Sequence, residues 1–115
     1  MKHTDLTYLK SMSGGSKELI QELVDIFISQ VEEFSEGMDN YLNNKDWDNL
    51  GKLAHKAKSS VAIMGMEKLA NDLKRLELLT LEEKEIEIYP EIISKFKNEC
   101  REAVTELNDF LFKLQ

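Results

Sequence analysis

Between Lys17 and Leu114 apolar residues return every three or four positions, in four successive runs, each ended by a short polar or glycine-bearing stretch. That spacing is the period of an α-helix with one buried face. Only five glycines and one proline occur in 115 residues, which leaves little room for the turn chemistry of an all-β fold. A single domain is expected, long enough to bury roughly two-thirds of its unfolded surface.

The runs place the helices. Asp5 to Ser11 reads as a short leading helix with Leu6 and Leu9 inward, broken by Ser13-Gly14-Gly15, and His3 falls in a frayed end before it. Ser16 is a good N-cap for a helix from about Lys17 to Asn43. Its inward stripe is Leu19, Ile20, Leu23, Ile26, Phe27, Val31, Phe34, Met38, Tyr41 and Leu42, with Gln30 the one polar member and Gly37 a bend or close-contact point. Asp46 caps a second long helix through about Met64, with Trp47, Leu50, Leu53, Ala54, Ala57, Val61 and Met64 inward. A third carries Leu69, Leu73, Leu76 and Leu79, and Thr80 with Glu83 has the spacing of a capping box. The last starts between Glu83 and Pro90 and turns Ile86, Tyr89, Ile93, Phe96, Cys100, Ala103, Leu107, Phe110 and Leu114 inward. Four such stripes on short connections predict an all-α fold, an antiparallel four-helix bundle with a short additional N-terminal helix. Residues 1–115 then form one domain.

Composition narrows the partners. Cys100 is the only cysteine, so neither an intrachain disulfide nor a thiolate metal cluster is possible, and its helical spacing makes it a small core residue. No run approaches the ~20 apolar residues that span a bilayer, and Met1 to Asp5 lacks the apolar stretch of a secretory signal. A cytoplasmic protein with no membrane partner is expected. The net charge of −7 argues against nucleic acid. The charge is unevenly spread: Trp47 to Gly65 sets Asp48 against Lys52, Lys56 and Lys58, which is +2 and leaves −9 for the remainder. Such a local positive island favours a small anion or a partner with an acidic pocket.

His55 sits in that island. At about 100° per residue it lies about 140° from Leu50, which puts it on the exposed side of its helix. Its helical neighbours are Gly51, Lys58, Ser59 and Ala62, three of them unusually small. A glycine inside a helix costs about 1 kcal/mol relative to alanine, so Gly51 is read as clearing the approach to the ring together with Ser59 and Ala62. An exposed, largely neutral imidazole is a nucleophile toward phosphorus. Lys58, one turn along, is placed to neutralise phosphoryl oxygens, and Ser59 and Ser60 offer hydroxyl donors. Ala62 and Ile63 are candidates for an apolar docking face; Ile63 lies about 220° from Leu50 and is expected to be exposed.

The run His55-Lys56-Ala57-Lys58-Ser59-Ser60, followed by Gly65, Leu69, Leu73 and Leu76-Glu77, closely resembles the histidine phosphotransfer (HPt) domain family, whose pattern is His-x-x-Lys-Gly-Ser-Ser with a downstream glycine, spaced leucines and a Leu-Glu pair. Asp5 to Leu9, Gly14-Gly15-Ser16 and Asp46-Trp47 are also similar to the family. The resemblance implies a phosphocarrier without an ATP site, which takes a phosphoryl group on His55 from one receiver-domain aspartate and passes it to another. Response-regulator receivers are the implied partners, with a hybrid sensor histidine kinase as a further one. Mg²⁺ is expected on the receiver, with no cofactor or metal in this chain. Glu77 stands where the family places a Gln or Glu that orients the histidine ring, the alternative being an ordinary surface glutamate. Ser59 departs from the family, which has glycine there, and puts the transfer rate in question. No apolar surplus demands a dimer, so a monomer is expected; a free-standing protein and a piece of a larger hybrid kinase both fit the sequence.

Three rival functions bear comparison. A helical docking or regulatory module that binds a kinase or receiver without carrying phosphate is free to lose His55 or Lys58, and both are present. A metal-dependent hydrolase needs Glu-x-x-His pairs or inward carboxylates, and the one histidine in the body of the chain points outward. Nucleic-acid binding conflicts with the charge.

Overall fold

A computed structural model describes residues 2–114 of the chain; the side chain of Leu114, expected on the last stripe, lies outside what is described. The elements are α1 (Thr7–Ser13), α2 (Lys17–Asn43), α3 (Trp47–Ile63), α4 (Glu67–Glu82), a 3-10 turn (Ile86–Ile88) and α5 (Tyr89–Leu114). Residues 44–46 and 64–66 are too short to do anything but fold each helix back along its predecessor, so α2 to α5 form an antiparallel bundle 46 Å long and about 20 Å across. Among the described residues no helix is long and apolar enough to cross a membrane.

The ends of the helices are set by local chemistry. The Ser16 hydroxyl accepts the Leu19 amide at 3.2 Å and starts α2. The Asp46 carboxylate accepts the Asn49 amide at 3.3 Å and starts α3. Between α3 and α4, Gly65 takes φ +76°, and the backbone of Asp5 lies against it so closely that a Cβ would sit 2.3 Å from the Asp5 carbonyl oxygen. Only glycine satisfies both demands. The Asp5 amide donates to the Met64 carbonyl at 3.0 Å, while the amides of His3 and Thr4 donate to the Glu106 carboxylate of α5. His3, expected in a frayed end, is therefore held: its side chain is largely buried and paired with Glu102.

One hydrophobic core runs the length of the bundle, with Phe27, Met38, Leu50, Leu73, Leu76, Tyr89, Phe96 and Leu107 among its most buried members. Cys100 is buried in it, and desolvation pushes its thiol up to about 12. Tyr89 stands edge-on to Trp47 with ring centroids 5.3 Å apart, and its hydroxyl donates to the Lys84 carbonyl at 2.7 Å. That contact fixes where α5 begins.

Further expectations change, Ile86 among them: it sits in the 3-10 turn and is exposed, not on the inward face of the last helix. In α2 the buried face is Ile20, Val24, Phe27, Phe34 and Met38, while Leu19 and Ile26 are exposed. The apolar arc of this helix is wider than its neighbours cover, and Val24 lies nearer the centre of the covered part. Gly37 is a close contact and not a bend: a Cβ there would meet Leu53 Cδ2 at 2.7 Å, and α2 continues unbroken. Thr80 and Glu83 form no capping box. Thr80 lies inside α4 with its hydroxyl donating to the Glu77 carbonyl at 2.8 Å, and Glu83, at φ 53°, ends that helix.

Candidate functional site

His55 stands at mid-helix on α3, with 61% of its side chain exposed and its backbone held rigid by the core residues Ala54 and Ala57 on the opposite face. Its Nδ1 lies 2.9 Å from Glu77 Oε2, across the interface on α4. An ionised carboxylate only accepts hydrogen bonds, so the Nδ1 nitrogen carries the proton and donates it. In the neutral ring that contact selects the tautomer in which Nε2 keeps its lone pair. The other carboxylate oxygen, Oε1, accepts from Lys58 Nζ at 3.4 Å. One carboxylate thus holds both the imidazole and the ammonium one turn beyond it.

Glu77 is three-quarters buried by exposure of its side chain, 25%. Burial raises its pKa, but the hydrogen bonds from His55 and Lys58, with the Lys58 charge, outweigh that and leave the carboxyl below the ordinary glutamate value. The group is a carboxylate at neutral pH. The surface-glutamate alternative for this residue is thereby replaced by direct contact with the ring.

Two site residues sit differently from expectation. Gly51 is buried and faces α4, where a Cβ would meet Thr80 Oγ1 at 2.3 Å; it lets two helices approach and lines the depression that His55 shares with Glu77 and Thr80. Ile63 is half-buried, packed against the core, and lines one groove with Phe27 and Phe34 of α2, so it is not the exposed residue its place on the wheel suggests. Ser59 is exposed, as its position on the wheel requires. Ala62 is also exposed but opens on a depression beside Tyr8 and Gly65, apart from the groove at His55.

That groove runs between α2 and α3 and is lined by Leu23, Ile26, Gln30, Lys56, Ser59 and Ile63 beside the ring. Ile26 is 48% exposed and supplies apolar surface that the sequence reading had turned inward. Gln30, the lone polar residue of the α2 stripe, accepts from the Ser60 hydroxyl at 2.9 Å and ties α2 to α3 one turn past His55. Its polarity amid apolar neighbours was the available signal. Among the described residues no group of three or more His, Cys, Asp or Glu side chains is placed to hold a metal ion.

Comparison with known proteins bears on the family and the fold. The family profile described as Hpt domain matches residues 22–110. The phosphorelay intermediate protein YPD1 of Candida albicans is 39% identical over 67 residues, covering 58% of this chain and 36% of that protein. The chain therefore spans little more than a third of this curated relative. The crystal structure of histidine-containing phosphotransfer protein B from Pseudomonas aeruginosa PAO1 superposes with a TM-score of 0.86 over 96% of both chains, at 23% identity, and shares the fold.

Proposed function

The chain belongs to the Hpt domain family, and on that premise we propose that His55 carries a phosphoryl group between receiver-domain aspartates in a His–Asp phosphorelay. The observation that carries this reading is the 2.9 Å contact between Nδ1 and Glu77, on a ring that is otherwise open to a partner. In its neutral form, with the proton on Nδ1, the imidazole presents one nucleophilic nitrogen, Nε2, on a side chain that is 61% exposed.

In the proposed step the Nε2 lone pair attacks the phosphorus of an aspartyl phosphate on the receiver. The N–P bond forms as the P–O bond to the aspartate breaks, and the aspartate leaves as a carboxylate. The imidazole gains positive charge, which the Glu77 carboxylate offsets while the Nδ1 proton stays between them. Lys58 moves from Glu77 Oε1 to the incoming phosphoryl oxygens, and the Ser59 hydroxyl stands on the same side of the helix. The reverse sequence delivers the group to a second receiver. Mg²⁺ would be held by the receiver, not by this chain, and would supply charge neutralisation at the acyl phosphate. The chain itself acts as a carrier with no nucleotide site, as a monomer in the cytoplasm, with the α2–α3 groove as docking surface.

The test is incubation with a phosphorylated receiver domain and Mg²⁺, followed by acid and alkali. Phosphohistidine is acid-labile and alkali-stable, so label with that profile is expected on the native chain and none on His55→Gln. Label that survives acid, or that persists in His55→Gln, overturns the assignment and favours a docking module that carries no phosphate.

A further inference from the structure

The contact between His55 and Glu77 depends on two helices meeting at one height, and the neighbouring rung of the α3–α4 interface shows how that height is set. Gly51 lies four residues before His55 on α3, and Thr80 lies three residues after Glu77 on α4. In antiparallel helices those offsets place the pair 51/80 directly beside the pair 55/77 on the same faces. At rung 51/80 the approach leaves no room for a Cβ unless a neighbour shifts: a Cβ on residue 51 would fall 2.3 Å from Thr80 Oγ1 and 3.3 Å from Thr80 Cβ. The Thr80 hydroxyl is in turn bonded to the Glu77 carbonyl at 2.8 Å, and Thr80 is almost fully buried. We propose that Gly51 and Thr80 are the positioning residues of the phosphoacceptor: their close contact sets the α3–α4 spacing at which the Glu77 carboxylate reaches His55 Nδ1 and selects its tautomer.

The margins are small. A methyl on residue 51 forces either a spread of the helices or a rotation of Thr80 that abandons the Glu77 carbonyl, and a β-branched buried side chain rotates with difficulty. A spread of roughly 0.7 Å takes a 2.9 Å contact to about 3.6 Å, where it is no longer a hydrogen bond. The glycine itself is unfavourable in mid-helix, and the closeness it permits is the compensating gain. Ser59 and the α2–α3 groove do not include either residue, so the effect on chemistry passes through Glu77 and the contacts it makes to His55 and Lys58. The link from tautomer to transfer rests on the phosphocarrier reading; the link from Gly51 and Thr80 to the tautomer does not.

The experiment reads the ring nitrogens of His55 by ¹⁵N NMR in the full, unphosphorylated chain above neutral pH, with His3 assigned separately. The native protein is expected to show one protonated Nδ1 and one unprotonated Nε2. Gly51→Ala is expected to lose that single pattern and give averaged nitrogens. Gly51→Ala combined with Thr80→Ala removes the clashing oxygen and is expected to restore it. Should Gly51→Ala fail to fold, Thr80→Val makes the same test, since it keeps the shape, places a methyl where Oγ1 sits and should also lose the pattern. A native pattern in the folded single variants, or no restoration in the double variant, overturns the proposal. Phosphotransfer measured on the same samples separates the two ideas: a tautomer that responds as expected in a chain that never takes a phosphoryl group sinks the carrier reading and leaves the positioning contact standing.

Discussion

Replacing Glu77 tests the division of labour at the site, because Glu77→Gln and Glu77→Ala remove different things. In the native chain the carboxylate accepts from Nδ1 at 2.9 Å, and in the proposed step it faces a positively charged ring once the N–P bond has formed. Two unit charges roughly 4 Å apart attract by about 1 kcal/mol in water and more where screening is weaker. With His55 61% exposed and Glu77 25% exposed, the lower figure is the right one. It is felt only as charge develops, so it lowers the barrier by up to about 1 kcal/mol, or roughly fivefold in rate. Glu77→Gln keeps an acceptor for the Nδ1 proton and loses the charge, so transfer should slow about fivefold. Glu77→Ala also loses the hydrogen bond that selects the tautomer, about 1 kcal/mol more, and should slow transfer roughly 25-fold in all. The assay is rapid-quench transfer from a phosphorylated receiver at saturating concentration, which separates the chemical step from docking. Native rates in both variants would refute the electrostatic and the tautomeric argument together.

Other consequences are more local. Lys58→Ala should slow transfer about fivefold by removing one charge near the phosphoryl oxygens, while circular dichroism shows undiminished helix, since alanine is the better helix former; an unchanged rate contradicts the role given to Lys58. The Glu77 carboxyl is held below its ordinary value of 4.5, so its contribution to stability is complete above that pH and is lost as pH falls through the lower folded value. A ¹³C titration of Glu77 should accordingly show a midpoint under 4.5, and a midpoint at or above it contradicts the contacts described. Tyr89→Phe strands the Lys84 carbonyl and should reduce unfolding free energy by about 1–2 kcal/mol in a denaturant titration; a native value would mean that the hydroxyl does not anchor the start of α5.

Much of this molecule is legible in its sequence, and the exceptions share a cause. The three-four spacing, Ser16 and Asp46 place α2 and α3 to within a residue, and the same wheel puts His55 outside, because helix period and capping are local properties of the chain. What the wheel does not contain is which parts of an apolar arc the neighbours cover. Ile26 looked inward and lines the groove; Val24 was passed over and is fully buried. Gly51 shows the same limit from the other side. Its smallness was visible, but whether the space served an incoming partner or an adjacent helix depended on α4. Thr80 carried a true signal, a polar residue after a leucine stripe, whose meaning was tertiary. The Glu77 contact with His55 also spans two helices: the family resemblance points to it, but the helical wheel alone leaves a surface glutamate equally open.

The central claim is that His55 takes the phosphoryl group on Nε2 while Glu77 retains the Nδ1 proton. Phosphorus–nitrogen correlation NMR on the phosphorylated, ¹⁵N-labelled chain reads both statements at once. The account predicts coupling from phosphorus to Nε2 of His55, with Nδ1 still protonated. Coupling to Nδ1, coupling to a ring nitrogen of His3, or no nitrogen coupled to phosphorus would contradict it.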